Sequence, residues 1–368
     1  MKTAYIARSI IPSQAANSIH VMKISEEFAK LCEEFELIVP CSDDSDVKEE
    51  PFAYYGIETK FPIRRIKKKT SGLYRYYFAW KSMKQARKDN VDKIVTREPL
   101  VAFLAVLSHR PVVLDLHGEA AHLMGRAYRL MKWDFFVKSP YLKLVMITES
   151  LSKYYEKKYG VNPATVTVLP DGCTLENFEP YHNQPLFTEN GMKIAYAGSF
   201  GVGRGYEIIQ ELASQDESNR YIIYGGTKED AVRITGKEQP DNIEFRGYIA
   251  NREIPKALCE QDILLLPYQN TVIAKGEDTG KVMSPLKLFE SMASGRVIVA
   301  SDLEILREIV DDSNCYLAES DSVADWCRVL QEIADNKEVA KVKAAKAKED
   351  VKQYTWRKRA ERMLELLS

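Results

Sequence analysis

Two segments of this sequence combine residue types that can hold an anion. The first, Ala197-Gly198-Ser199-Phe200-Gly201-Val202-Gly203-Arg204-Gly205, follows a short apolar run and precedes the helical stretch Tyr206 to Ala213. Glycines let a backbone approach an anion closely, a helix start offers unpaired N–H groups, and Arg204 adds a full charge with fork geometry for phosphate oxygens. The competing reading of these residues is a plain flexible loop. The second segment runs from Ser284 to Asp302. Pro285 suits the first position of a helix, Gly295 its end, and the run Val297 to Ala300 a buried strand. Free N–H groups of that first turn, with Lys287 beside them, offer a second anion contact. Glu290 shares the helix with Leu286 and Lys287, where a carboxylate can accept two hydrogen bonds from a ribose diol; otherwise it is a surface glutamate.

Four further stretches carry polar residues. Leu114-Asp115-Leu116-His117-Gly118-Glu119 reads as a buried strand that stops at a histidine, the usual place for a cleft residue in a doubly wound sheet, although a lone histidine is more often structural. Pro12-Ser13-Gln14-Ala15-Ala16-Asn17-Ser18-Ile19-His20 separates the first strand from the first helix, and Asn17 or Ser18 either caps that helix or contacts a substrate. Arg64-Arg65-Ile66-Lys67-Lys68-Lys69 precedes Tyr74, Tyr76, Tyr77, Phe78 and Trp80, with Lys81 and Lys84. Such a stretch over 64–84 can lie on an anionic membrane, or it is a solvated charge run over core aromatics. Asp43-Asp44-Ser45-Asp46 imitates a metal-binding Asp-x-Asp motif, but its place in an acidic loop far from the anion segments argues for a solvated turn.

The elements that must position these groups follow a βαβ rhythm. Apolar runs at Thr3 to Ile6, Glu36 to Val39, Lys93 to Thr96, Val112 to Leu116 and Leu144 to Thr148 read as strands, with the amphipathic stretch Val21 to Cys32 between the first two. The rhythm restarts with Lys193 to Ala197, Tyr221 to Tyr224, Ile243 to Phe245, Ile263 to Leu266 and Val297 to Ala300. A polar, proline-containing stretch around Glu179 to Pro185 separates the two halves. The fold class expected is therefore α/β, with two doubly wound domains whose strand ends face one cleft. Domain 1 spans 1–178, a linker 179–190, domain 2 191–352 and a final helix 353–368.

Composition narrows the function classes. The 368 residues suit about two domains. With 52 Lys and Arg against 53 Asp and Glu, no global field exists to hold nucleic acid. Six cysteines without a C-x-x-C pair suggest neither a disulfide framework nor a zinc site and fit a reducing cytoplasm. No signal segment or membrane-spanning run is expected, so any membrane contact is peripheral.

Taken in order, these stretches resemble family 4 glycosyltransferases. Glu290-Ser291-Met292-Ala293 is similar to the family's Glu-Ala-Met-Ala, and Gly198 to Gly205 to its Gly-Arg...Lys-Gly turn. Val168-Leu169-Pro170-Asp171-Gly172...Phe178, Phe245-Arg246-Gly247-Tyr248, Asp262 to Tyr268 and Tyr354-Thr355-Trp356 follow suit. The lysine position of the turn holds Arg204, the arginine position Ser199, and the position eight before Glu290 holds Val282. A subset reading Pro-Leu-Lys-Leu-Phe-Glu resembles the chain still more closely.

The resemblance implies a GT-B fold, with two Rossmann-like domains and a last helix returning to the first. It also implies a retaining transferase that moves a sugar from a nucleotide-sugar donor to a glycan or lipid-linked acceptor in bacterial capsule or lipopolysaccharide assembly. Gly198, Ser199, Gly201, Arg204, Tyr248, Leu286, Lys287 and Glu290 would bind the donor, and Asn17, Ser18 and Arg97 the acceptor. His117 corresponds to the family's cleft histidine and, with Arg204 and Lys287, would be catalytic. No cofactor or metal is expected, because those cations and helix N–H groups can meet the charge of a departing diphosphate. Location would be cytoplasmic, at most peripheral to the inner face of the plasma membrane. The alternatives are a non-catalytic nucleotide-sugar-binding subunit and a nucleotide-sugar epimerase.

Overall fold

The computed structural model describes residues 1–41, 49–67, 73–118, 125–274, 277–278 and 280–368. Asp43 to Asp46, Lys68, Lys69 and Glu119 lie outside the described residues. The chain divides into two units: Met1–Asp171 with Trp356–Ser368, and Gly172–Thr355.

Among the described residues, unit 1 holds seven strands: β1 (Lys2–Ile6), β2 (Glu34–Cys41), β3 (Ile63–Lys67), β4 (Lys93–Thr96), β5 (Val112–Leu116), β6 (Leu142–Met146) and β7 (Val166–Val168). They form one parallel sheet in the order β3-β2-β1-β4-β5-β6-β7. Chain order and sheet order part company at β1, next to β4, which is the switch point of a doubly wound sheet. β5 is buried along its whole length, as expected of a strand covered on both faces. Helix Ala16–Leu31 covers one face, and its Phe28 packs edge-on against Tyr5 at 6.0 Å between ring centroids.

Several sequence expectations differ here. The first helix begins at Ala16, five residues before the stretch proposed, and its N-cap is Ala15, so neither Asn17 nor Ser18 caps it. The basic run Arg64 to Lys67 is strand β3, at the sheet edge: Ile66 is buried, Arg64 faces Glu36 and Asp89 at 3.5 Å each, and Arg65 bonds the Ile11 carbonyl. β6 starts two residues earlier than the run proposed.

Unit 2 holds β8 (Lys193–Ala197), β9 (Arg220–Tyr224), β10 (Ile243–Gly247), β11 (Ile263–Leu266), a small hairpin β12 (Ile273–Ala274) and β13 (Glu277–Asp278), then β14 (Val297–Ser301) and β15 (Tyr316–Ala318). The main sheet is parallel in the order β10-β9-β8-β11-β14-β15. Apolar clusters line both of its faces, one around Leu264, Phe289 and Met292, the other around Ile194, Tyr206 and Trp326.

The linker expected over 179–190, and the end of domain 1 expected at 178, also differ from the structure. Phe178 is buried in the core of unit 2. A ring nitrogen of His182 donates to Ala293 O at 2.9 Å, Arg296 Nη2 donates to Gln184 O at 2.8 Å, and Phe187 N donates to Asp262 Oδ1 at 2.5 Å. A polar composition that reads as a linker is here a strap whose backbone groups are satisfied by one unit. At the far end Cys173 bridges to Thr355, so 353–355 close unit 2, and the returning helix Trp356–Leu366 belongs to unit 1. Among the described residues no helix is long and apolar enough to cross a membrane.

One backbone position tests the turn after β8. Gly205 is left-handed (φ +74°) at the N-cap of helix Tyr206–Gln215, and a Cβ there would overlap the Pro267 carbonyl. Gly205→Ala is expected to lower stability by about 2–4 kcal/mol, the sum of the left-handed cost and the overlap, read by urea unfolding.

Candidate active site

In unit 1, β5 carries Asp115 inside an otherwise apolar, fully buried strand, and His117 follows its carboxyl end. The buried carboxylate is answered by a cation from the far end of the chain. Arg359 Nη2, on the returning helix, donates to Asp115 Oδ1 at 2.7 Å, and its Nη1 donates to the carbonyls of Leu169 and Pro170. The other oxygen of Asp115 meets His117 Nε2 at 2.8 Å. Burial alone would raise the Asp115 carboxyl, but Arg359 and His117 hold it well below the usual carboxylate range.

An ionised Asp115 can only accept, so His117 donates through Nε2. Burial, then the neighbouring Arg97 charge, pushes the imidazole down to about 3, so it is neutral near pH 7. Its Nδ1 therefore bears a lone pair, and His117 can accept a hydrogen bond there from a substrate hydroxyl.

His20 completes the cluster, and nothing in its sequence surroundings singles it out. It sits in the first helix, 2% exposed, with Nδ1 at 3.0 Å from Asp171 Oδ1 and Nε2 at 3.6 Å from Asp115 Oδ2. Its ring stands edge-on to those of His117 (4.4 Å) and Trp356 (5.0 Å). Burial works upward on Asp171, but His20 pulls that carboxyl down to about 2. Ligand atoms of His20, Asp115 and His117 lie within 4.8 Å of one another, a spacing a metal ion could use. Arg359, however, already supplies the positive charge on Asp115, and a divalent ion beside its guanidinium would meet repulsion.

Asn17 is partly exposed, and its side chain forms no hydrogen bond among the described residues. Ser18 differs from its assignment as an acceptor contact: it is fully buried, and its hydroxyl bonds Ser13 O at 2.8 Å and Ala15 O at 2.7 Å. That hydroxyl ties the loop to the helix. Arg97 follows β4, partly exposed and close enough to His117 to act on its charge.

Unit 2 gathers the remaining candidates. Gly198 follows β8, and any Cβ there would overlap the Lys287 side chain, so the glycine makes room for that ammonium. Lys287 Nζ lies 4.5 Å from the Tyr196 ring centroid and 5.8 Å from that of Tyr268, and donates to Tyr196 Oη at 3.4 Å. Although part of the side chain reaches solvent, burial first and the Arg204 charge second push this ammonium down to about 7, with Glu290 opposing. Arg204 stands over the same Tyr268 ring at 5.9 Å.

Two cations thus flank one tyrosine beside the glycine turn. Lys287 and Glu290 line a small recess with Ala197 and Leu266, at the ends of β8 and β11. Helix Leu286–Ser294 begins one residue later than expected: Pro285 is its N-cap with extended ψ, not its first helical residue, and Gly295 ends it in the left-handed region (φ +67°). Leu286 is partly exposed in the first turn, and Ser199 and Tyr248 are exposed. Gly201 is also in the turn, where a Cβ would meet nothing closer than Arg204 Cγ at 3.7 Å.

The Arg359–Asp115 pair yields a test. Arg359→Met would leave a buried carboxylate uncompensated, and a loss of about 3–5 kcal/mol in unfolding free energy at pH 7 is expected from denaturant titration.

Comparison with known proteins places the chain. Residues 18–177 match the model described as Glycosyltransferase Family 4, and residues 194–336 that described as Glycosyl transferases group 1. A phosphatidyl-myo-inositol mannosyltransferase of Mycolicibacterium smegmatis is 22% identical over 194 residues, 51% of this chain and 48% of that protein. An uncharacterized 41.2 kDa protein in the cps region of Klebsiella pneumoniae is 24% identical over 172 residues, 44% of each. The chain thus spans about half the length of these curated relatives. Among solved structures, HepE of Anabaena in complex with UDP-glucose superposes with a TM-score of 0.72 at 14% identity, covering 99% of this chain and 98% of that one. The fold is α/β with two Rossmann-like domains, the GT-B type. With one family model on each half and the matching architecture in both units, the chain belongs to the family 4, group 1 glycosyltransferases.

Proposed function

We propose that this protein is a retaining, metal-independent glycosyltransferase. It would move a sugar from a nucleoside diphosphate sugar to a glycan or lipid-linked acceptor in the assembly of a bacterial surface polysaccharide. The observation that carries the reading is the pair Arg204 and Lys287 around Tyr268, beside a turn whose Gly198 leaves room for the ammonium. Two cations and the N–H groups of the turn match the charge of a diphosphate leaving group, which is what supports transfer without a metal.

Glu290 takes the ribose diol, His117 accepts a hydroxyl of the reacting sugar through Nδ1, and Asn17 and Arg97 face the acceptor. In the transfer, the acceptor oxygen bonds to the anomeric carbon as the carbon–phosphate oxygen bond breaks. Its proton passes to the departing diphosphate. Six free cysteines favour a reducing compartment, the cytoplasm. Leu73, Tyr76 and Trp80, 49–68% exposed, with Lys81 and Lys84 over the Trp80 ring at 5.2 and 5.6 Å, suit peripheral contact with an anionic leaflet.

The direct test is a screen of nucleotide sugars, UDP-glucose first, for thermal stabilisation and slow hydrolysis with and without chelator. One donor hydrolysed equally in chelator supports the reading; stabilisation by none overturns the site. With that donor, Arg204→Ala is expected to lower kcat/KM about 10- to 150-fold, because a charge-assisted hydrogen bond disappears from the transition state.

The depressed Lys287 adds a pH signature. Its charged form, needed against a diphosphate, predominates below about pH 7 and is lost above it. Nucleotide diphosphate affinity should therefore weaken by up to about tenfold per pH unit above 7 in the wild type, and Lys287→Gln should flatten that dependence in calorimetric titrations.

A further inference from the structure

At the carboxyl edge of the unit 1 sheet, three arginines gather around a single buried carboxylate. β1 and β4 pair with Ile6 opposite Thr96, and two residues beyond each lie Arg8 and Glu98. Thr96 Oγ1 donates to Ile6 O at 2.8 Å and accepts from Glu98 N at 3.0 Å, which locks the two strand ends together. Arg8 Nε donates to Glu98 Oε1 at 3.3 Å. Arg75, in the first turn of helix Tyr74–Lys88, is close enough to Arg8 for the two charges to repel, and Arg97 acts on the same Glu98.

Glu98 is 8% exposed and feels the charge of all three arginines, so one buried carboxylate answers three cations at this edge. The side chains of Arg75 and Arg97 form no hydrogen bond or ion pair among the described residues, and all three arginines keep part of their surface open to solvent. Three hydroxyls on the same edge are likewise buried without a hydrogen-bond partner: Tyr5 Oη, Ser9 Oγ and Tyr74 Oη. Tyr5 is electrostatically coupled to Arg97, and Tyr74 to Arg8 and Glu98. Unspent guanidinium donors beside unsatisfied hydroxyls offer hydrogen bonds that an anion can accept.

We propose that Arg8, Arg75 and Arg97 bind a phosphate or diphosphate group carried by the acceptor. Three guanidinium groups around one carboxylate leave an excess of positive charge that suits a phosphate dianion, and guanidinium forks suit phosphate oxygens. Since Arg97 also acts on His117, the anion sits beside the histidine assigned to the reacting sugar, so the phosphate lies near the acceptor hydroxyl. As an acceptor site this rests on the glycosyl transfer proposed above; as an anion site it stands alone.

The experiment is calorimetric titration with inorganic pyrophosphate, and in parallel with malonate, of Arg204→Gln/Lys287→Gln protein, in which the proposed donor cations are removed. Pyrophosphate should still bind, more tightly than malonate. Adding Arg75→Gln, or independently Arg97→Gln should the first fail to fold, should weaken it at least tenfold with the thermal midpoint unchanged. Loss of all pyrophosphate binding in the double variant, indifference to both arginine substitutions, or equal affinity for malonate would each overturn the proposal. None of these readouts needs turnover: a protein that binds pyrophosphate here yet is stabilised by no nucleotide sugar would sink the proposed donor site and keep the anion site.

Discussion

A charge in the middle of an apolar strand constrains most of unit 1. Asp115 has lost its water, and an ionised carboxylate in that position persists only if hydrogen bonds and a cation replace the solvent. Arg359 does this for one oxygen and His117 for the other. The guanidinium also collects the carbonyls of Leu169 and Pro170, so a single side chain fixes the end of β5, the segment after β7 and the returning helix. The same pair decides which nitrogen of His117 carries the proton. A contact that looks structural thereby sets the chemistry that the histidine can offer.

In unit 2 the corresponding constraint is one of space. Lys287 can lie between Tyr196 and Tyr268 only because residue 198 has no side chain. Aromatic faces attract the ammonium but hydrate it poorly, so its charge is held cheaply only when an anion arrives. Arg204 shares the Tyr268 face, and the mutual repulsion of the two cations is what an anionic ligand would relieve.

Much of the fold is legible in the sequence where the signal is local. β4, β5, β8 and β11 fall where the apolar runs lie, because strands buried on both faces are continuous apolar runs. β3 escapes such a reading because an edge strand needs only one buried side chain, here Ile66, and its exposed positions are arginine and lysine. The strap 179–190 misleads because its hydrogen bonds run to residues some 75 to 112 positions away. His20 has no local signal either, since its partner Asp171 lies 151 residues on. A clue to Arg359 is present: an aspartate flanked by leucines demands a buried cation, and Arg359 sits in the last helix on the face of Trp356, Ala360 and Met363, all buried. The glycine turn falls where the sequence puts it, and the helix bearing Glu290 within one residue of it, because a strand, a turn and a helix in succession define them without distant partners.

The chain leaves unit 1 at Asp171 and re-enters it at Trp356, after unit 2 has been made in full. During synthesis the unit 1 sheet therefore emerges with Asp115 inside it and no guanidinium to meet that charge until the residues of unit 2 have followed. Unit 2, being continuous, has every residue it needs before the ribosome reaches Arg359. The second unit in sequence is thus complete before the first has received the guanidinium that answers its buried carboxylate.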